Sequence, residues 1–402
     1  MKKIIYISIF LAFGSIANAQ WFLQQTGTTE ALGSISIVTA DTVFVAVNNV
    51  KIIKTVNGGT NWISISSGAL PHISGCYFLN GKTGWVVGAG GKIFKTTNAG
   101  TNWIEKTSGT TSYLYQIVFL NENTGYLTGV SSIVKKSTNG GDNWVSQSAS
   151  AGELTGLQFL NENTGWIVGQ GGVIRKTTNG GGNWTEQIPP TGSSWLIRLS
   201  FINLNTGWIC GRDQTIIKTT NGGESWISVY PIGTKQFNSI WFVNANTGWA
   251  ITSNNVYVKT VNGGTSWTVD SLTNIGGNVR FINETTGWIT GYSGTLYKTT
   301  NGGITFISTI STEIPSSYSL QQNYPNPFNP STKIRFDVMR SNIVTLKVFD
   351  VLGRDITTLV NESLKPGTYE VDWDGSGFTS GVYFYKLSTE SYTETKKMLM
   401  IK

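Results

Sequence analysis

From Trp21 to about residue 310 the chain alternates short apolar runs with clusters of Gly, Asn, Thr and Ser, and the order of runs and clusters recurs. One run ends in a phrase such as Phe119-Leu120-Asn121 and turns through Asn-x-x-Thr-Gly into a second that opens on an aromatic residue, such as Trp166-Ile167-Val168. A third run, such as Lys92 to Thr96, turns through an Asn-Gly-Gly type of cluster into a fourth that begins at a Trp. β-Branched and aromatic residues fill the runs, and Asn-Gly provides the positive φ that tight hairpins demand. Each cycle therefore predicts four short antiparallel strands.

The cycle is an internal repeat. One phrase returns seven times: KTVNGGTNW (Lys54 to Trp62), KTTNAGTNW (Lys95 to Trp103), KSTNGGDNW (Lys136 to Trp144), KTTNGGGNW (Lys176 to Trp184), KTTNGGESW (Lys218 to Trp226), KTVNGGTSW (Lys259 to Trp267) and KTTNGGITF (Lys298 to Phe306). Its aromatic ends are spaced 41, 41, 40, 42, 41 and 39 residues apart. A second phrase keeps step: TGWVVG, TGYLTG, TGWIVG, TGWICG, TGWAIT and TGWITG, while Asp41 to Val45 takes that place in the first cycle. Four strands in about 40 residues is the pattern of a propeller blade, whose faces are buried only by stacking on neighbours in a ring. The expected fold is all-β: a seven-bladed β-propeller over residues 20–310, followed by a smaller domain. Trp21 to Gln24 stands 41 residues before Trp62 and reads as a fourth strand ahead of the first cycle. It is expected to join blade 7, either replacing the strand that begins at Phe306 or lying outside it.

The phrase Thr-x-Asn-x-Gly-x-x-Trp resembles the Asp-box (BNR repeat) of sialidases, sortilin-like receptors and xyloglucanases, with Asn in the Asp place in all seven copies. Taken with the TGW phrase, residues 21 to 310 resemble the propeller of photosystem II assembly and stability factors. That resemblance implies a propeller fold and, in that family, binding of a membrane-protein precursor through basic residues; the linear sequence here shows no clustered Arg set. The box itself is a turn motif shared by enzymes and binders.

The two ends carry addresses. Met1-Lys2-Lys3, the apolar run Ile4 to Phe13 and Ala17-Asn18-Ala19 read as a secretory signal peptide over residues 1–19. No other stretch approaches the roughly 20 apolar residues of a membrane helix, so no membrane span is expected. After Phe306 the repeat stops, residues 311–319 (STEIPSSYS) read as a linker, and 320–402 alternate as short strands broken by turns at Leu352-Gly353-Arg354, Lys365-Pro366-Gly367 and Asp374-Gly375. A small Ig-like β-sandwich is expected there. NYPNPFNPSTKIRF, VFDVLGR, SGVYFYKL and the terminal KKMLMIK resemble the type A sorting domain of the type IX secretion system. The resemblance implies export through the periplasm and across the outer membrane of a Gram-negative bacterium, to the cell surface or the medium, with the secretion machinery as a partner.

Composition narrows the chemistry. The 402 residues include 48 Gly and 15 Trp but one His, two Cys and 13% charged residues. Multi-His metal sites and paired-Cys zinc sites are excluded and a His-based triad has almost no room, so no metal, cofactor or catalytic residue is assigned. Cys76 and Cys210 fall in different repeats and are expected as buried free thiols. The net charge of +7 divides into +5 over residues 21 to 310, 0 over 311 to 402 and +2 in the signal peptide. Seven of the propeller lysines precede a box and are spread round the ring, a poor nucleic-acid footprint.

Ligands are expected on the face bearing the links between blades and the loops between second and third strands. The residues that break the repeat there are Tyr113, Tyr115, Glu153, Trp195, Arg198, Arg212, Asp213, Lys235 and Arg280. Trp195, in the longest link after Gln187, is the aromatic anchor, and Arg198 nearby suits a carboxylate. The plainer alternative is a loop Trp packed on Pro189-Pro190, with solvated arginines. The box and TGW tryptophans read as packing, and His72 as a solvated loop residue. The sequence thus favours a secreted, monomeric, non-enzymatic propeller that binds a protein or a polysaccharide. A glycoside hydrolase with a degenerate site built on Asp213 and Glu153, and a structural or adhesion component, are the competing readings.

Overall fold

The computed structural model describes residues 21–48, 51–66, 72–149, 152–213, 215–230, 236–303, 307–375 and 378–401. The expected signal peptide, Lys235 and Phe306 lie outside them. Two compact units divide the chain, one spanning Leu23–Thr300 and the other beginning at Asn301.

The repeats form seven four-stranded antiparallel sheets. Blade 1 runs Leu32–Ile37, Val43–Val47, Lys51–Thr55 and Ile63–Ser66. Blades 2 to 6 follow in the same order, with first strands Ile73–Phe78, Leu114–Phe119, Leu154–Phe159, Leu196–Phe201 and Phe237–Phe242. Blade 7 joins Ile275–Phe281, Gly287–Gly291 and Leu296–Thr299 to the N-terminal strand Phe22–Leu23 on its outside, where the Gln24 N–H donates to the Leu296 carbonyl at 2.8 Å. Of the two closures the sequence allowed, replacement is the one adopted. Residues after the seventh box are drawn away: Ile307–Ser311 pairs with Gly367–Asp374 of the second unit. Each first strand lies against the first strands of both neighbouring blades, including blade 7 against blade 1, so these strands surround the axis and the ring is closed.

One side-chain unit joins the blades at six of the seven seams; where blade 7 meets blade 1, Trp288 packs among Ile35 and Ile37 instead. The aromatic residue of the second strand stacks on the Phe that ends the next blade's first strand: Phe44 on Phe78 and Trp85 on Phe119 at 3.5 Å, Trp208 on Phe242 at 3.6 Å, and Trp249 on Phe281 at 3.5 Å. The box Trp meets its own blade's Phe edge-on, as Trp226 does Phe201 at 5.9 Å. The Trp85, Trp166 and Trp208 indole N–H groups donate to the carbonyls of Gly140, Gly222 and Gly263 in the next blade's box. In every blade the Lys before the box lies over the second-strand ring, at 5.0 Å for Lys259 over Trp249 and 5.7 Å for Lys54 over Phe44. Such cation–π contacts contribute on the order of 0.5–2 kcal/mol each. The repeated lysines thus belong to the seams between blades.

Two glycine slots follow from this packing. The Asn-Gly-Gly turn needs left-handed backbone, with φ of 66° at Gly58 and 96° at Gly59. The Gly of the TG phrase is required by close approach instead: a Cβ at Gly207 would enter the Phe201 ring, and the same holds for Gly84 and Phe78. Within the box, the Thr219 hydroxyl donates to Asn221 Oδ1 at 2.9 Å, and that oxygen also accepts the Ser225 N–H at 3.0 Å. The turn is held by this acceptor oxygen, and Asn221 Nδ2 adds a bond to Ser225 Oγ at 2.9 Å, so Asn serves where the Asp-box has Asp.

In the second unit, alternating strands form two antiparallel four-stranded sheets. One orders Ile307–Ser311, Gly367–Asp374, Ser331–Val338 and Ser319–Leu320; the other orders Asp355–Leu364, Asn342–Phe349, Gly381–Ser388 and Thr393–Met400. Phe336, Val371, Leu346, Tyr385 and Met398 lie in the core they share. Among the described residues no helix is long and apolar enough to cross a membrane.

Two outcomes follow for stability. Trp208→Ala removes a fully buried indole from both its stack and its hydrogen bond and should cost about 3–5 kcal/mol in denaturant unfolding; a cost under about 1 kcal/mol would show that the seam does not hold the ring. Lys259 is 4% exposed, and burial pulls its ammonium down to about 7 against the attraction of Glu284. An amine with a native pKa below its unfolded value binds fewer protons when folded, so stability should rise from about pH 7 to about pH 10.5. Lys259→Met should flatten that rise in melts across the same interval.

Candidate functional site

The first strands position the central cavity. In a strand such as Leu196–Phe201 the fourth and sixth residues, Leu199 and Phe201, fill the core between blades. The third and fifth face the cavity and the neighbouring blade. Because the inner edge of a first strand has no further strand to pair with, its backbone groups need side-chain partners. Gln116 of blade 3 supplies both kinds to Leu157 of blade 4, donating to its carbonyl at 2.9 Å and accepting its N–H at 3.1 Å. Gln158 does the same for Phe201 at 2.9 and 2.7 Å. Ser36 and Ser200 accept the N–H groups of Phe78 and Phe242, and the Trp241 indole donates to Phe281 O at 2.8 Å.

The first strands enclose a cavity of about 520 Å³ lined by residues of all seven blades, from Tyr115 near the strand starts to Leu79, Leu120 and Ile282 past their ends. Arg198 and Arg280 are the charged residues of this lining, which includes no Asp, Glu or Lys. The sequence reading grouped both arginines with the residues of the link-bearing face; in the structure they line the cavity. Arg198 is the third residue of Leu196–Phe201, and Arg280, one residue before Phe281, matches the fifth place of the six-residue strands, so both side chains line the channel. Arg198 Nη1 donates to Thr155 O at 2.6 Å and Ile197 O at 3.0 Å. Arg280 Nη1 donates to Val279 O at 2.9 Å, and its guanidinium lies 4.6 Å over the Trp241 ring. Burial lowers the pKa of both, and repulsion from Arg198 helps bring Arg280 down to about 10. Both remain cations at neutral pH.

The other candidates within the described residues lie at the starts of first strands, in the adjoining links and, for Arg212 and Asp213, in the loop between the second and third strands of blade 5. Tyr113 OH lies 2.9 Å from His72 Nδ1, its ring is 5.3 Å from Tyr115, and Tyr115 OH donates to Glu153 at 3.1 Å. Burial and the Glu153 charge push the Tyr115 phenol up to about 12. His72, read from sequence as a solvated loop residue, is exposed but tied to Tyr113. On blades 4 and 5, Trp195 is half-buried, bridges Gln170, and carries the Arg212 guanidinium 3.9 Å over its ring. Asp213 accepts the Ser194 hydroxyl. Glu153 and Asp213, paired by the sequence reading, are each taken up by a different neighbour. Arg175, outside the cavity lining, pairs with Glu186 at 3.2 Å. Trp241 and His72 went unselected in the sequence; the register of Trp241, one residue before the first-strand Phe, was the available signal.

Known proteins place this geometry. Residues 104–191, 149–235 and 187–314 match the family described as photosynthesis system II assembly factor YCF48. The chain belongs to the YCF48 family. Residues 322–402 match the secretion system C-terminal sorting domain. This type IX sorting domain indicates export across the outer membrane to the cell surface or extracellular space. Among solved structures, a YCF48 bound to a D1 peptide is 18% identical with a TM-score of 0.61, covering 72% of this chain and 100% of its own. YCF48 from Cyanidioschyzon merolae is 17% identical with a TM-score of 0.59, covering 70% and 99%. Virginiamycin B lyase from Staphylococcus aureus is 16% identical with a TM-score of 0.60, covering 70% and 99%. At these identities the likeness is one of fold. Comparison with curated protein sequences gives no match.

In this YCF48-family propeller the thiols are poor nucleophiles. Cys76 and Cys210 are free and buried, and burial pushes them up to about 11 and about 12. Among the described residues no group of three or more His, Cys, Asp or Glu is placed to hold a metal ion. A thiol-exchange reagent at about pH 8 should therefore titrate no thiol in the native protein and both in denaturant; rapid native reaction of either would mean that the blades open.

Proposed function

We propose that the exported propeller is a non-catalytic binding module for a protein or polysaccharide, docked on the rim formed by the links. One observation carries the reading. The aromatic and basic residues of the repeat are consumed in the seams, while those that break it outside the channel gather at the strand starts and in one loop between second and third strands as half-buried or exposed groups: Tyr113, Tyr115 and Glu153 beside His72, and Trp195 with Arg212 and Asp213. Aromatic rings backed by an Arg are typical anchors of binding surfaces, giving contact area at small entropic cost. Hydrolysis of a glycoside asks instead for two carboxyl groups facing one another across the substrate. Glu153 and Asp213 each answer a separate hydroxyl, and the cavity lining holds no carboxylate.

The full-length mature protein on a glycan array, and in binding assays against outer-surface proteins, should give a ligand whose affinity falls about tenfold or more in Trp195→Ala, a loss of roughly 1.4 kcal/mol or more. Turnover of a chromogenic glycoside, abolished by Asp213→Ala, would overturn the non-catalytic reading.

A further inference from the structure

The third and fifth places of the first strands have a duty that neutral residues fulfil. Ser34 and Ser239 at the third place, and Ser36 and Ser200 at the fifth, accept a backbone N–H from the next blade. Arg198 and Arg280 occupy the same two places in blades 5 and 7 and bring in two positive charges that the seam does not require. Holding like charges in a protein-walled cavity is unfavourable unless an opposite charge joins them. No described carboxylate does so. Both arginines are held by Nη1 alone, on carbonyls and, at 3.5 Å, the Ser239 hydroxyl, so Nε and Nη2 of each donate to no acceptor among the described residues. Trp241 backs Arg280, and two carbonyls pin Arg198, which leaves two oriented forks at small entropic cost. Ser74, Gln116 and Asn278 add neutral polar groups to the wall.

We propose that Arg198 and Arg280 bind a small oxyanion on the propeller axis: a free phosphate or sulfate, or the carboxylate of a uronic acid. Such groups present two or more oxygens to a guanidinium fork, the geometry of charge-assisted bidentate pairing. At about 520 Å³ the cavity has room for the oxyanion together with the group that bears it. This site is separate from the rim, and neither reading rests on the other.

The test is calorimetric titration of the full-length mature protein with phosphate, sulfate and D-glucuronate, at constant ionic strength set by chloride. At least one should bind saturably at one per chain, and its affinity should fall at least tenfold in Arg198→Gln and in Arg280→Gln, while Trp195→Ala leaves it unchanged. The strongest of the three identifies the source of the oxyanion. Thermal melts establish that each variant folds; should a Gln variant fail, Arg280→Lys, which keeps the charge but loses the fork, should weaken binding in its place. Absence of saturable binding to the wild-type protein by all three would overturn the proposal, as would binding indifferent to both arginines or a chloride response of equal strength.

Discussion

A propeller blade is an incomplete object. Its two faces are apolar, and the inner edge of its first strand exposes backbone groups with no strand beside them. In this protein one contact repairs both defects at most seams. The second-strand ring of one blade stacks on the first-strand Phe of the next, its indole or phenol reaches a box carbonyl of that blade, and a Lys closes over it. Ser and Gln at the third and fifth places of the first strand then satisfy the open backbone edge of the neighbour. The tryptophan, the lysine and the glycines of the composition all descend from that contact. The TG glycine exists because the Phe ring occupies its Cβ position, and the box glycines because the hairpin beside the neighbour's ring takes left-handed backbone. Since one unit is repeated, the ring is stable only when every seam is made, and the blade shared by both ends of the repeat decides whether the last one is.

That last seam shows where the linear sequence runs out. The segment at Trp21 and the segment after Phe306 have the same pattern and compete for one place, so periodicity alone left both outcomes open. The choice depends on a demand outside the repeat: Ile307–Ser311 is an edge strand of the second unit, held along Gly367–Asp374. Seven blades, the box turns and the packing role of the TGW residues were legible because each is one side chain per slot, repeated. The second unit was legible as strands from its alternation, which its buried and exposed positions follow.

The candidate site was legible only in part, for a geometric reason. Arg198 and Arg280 are far apart in the chain and sit in blades that are not adjacent, so no local motif joins them. They line one cavity because every first strand faces the same axis. Their register against the Phe of the first strand, three residues before Phe201 and one before Phe281, carries the information, but it becomes meaningful only once the channel-facing places are known. The rim is the reverse case. Tyr113, Tyr115, Glu153 and Trp195 stood out as breaks in the repeat, and the fold keeps them near the strand starts, although the acid pair dissolves because each carboxylate has a nearer hydroxyl.

A scaffold built this way separates the residues that hold it from those free to vary. The seam fixes the second-strand ring, the first-strand Phe, the Lys and the box. What remains open are the links and the third and fifth places of the first strands, where any side chain that satisfies the neighbour's backbone will do. Charge is tolerated unevenly in these open places: on the rim water screens it, and Arg212 can rest on Trp195 at little cost. On the axis, residues of seven blades wall the cavity and supply no acid, so a cation there raises the energy of the empty cavity and lowers that of an anion-filled one. Two such cations on one axis bias the interior toward negative guests.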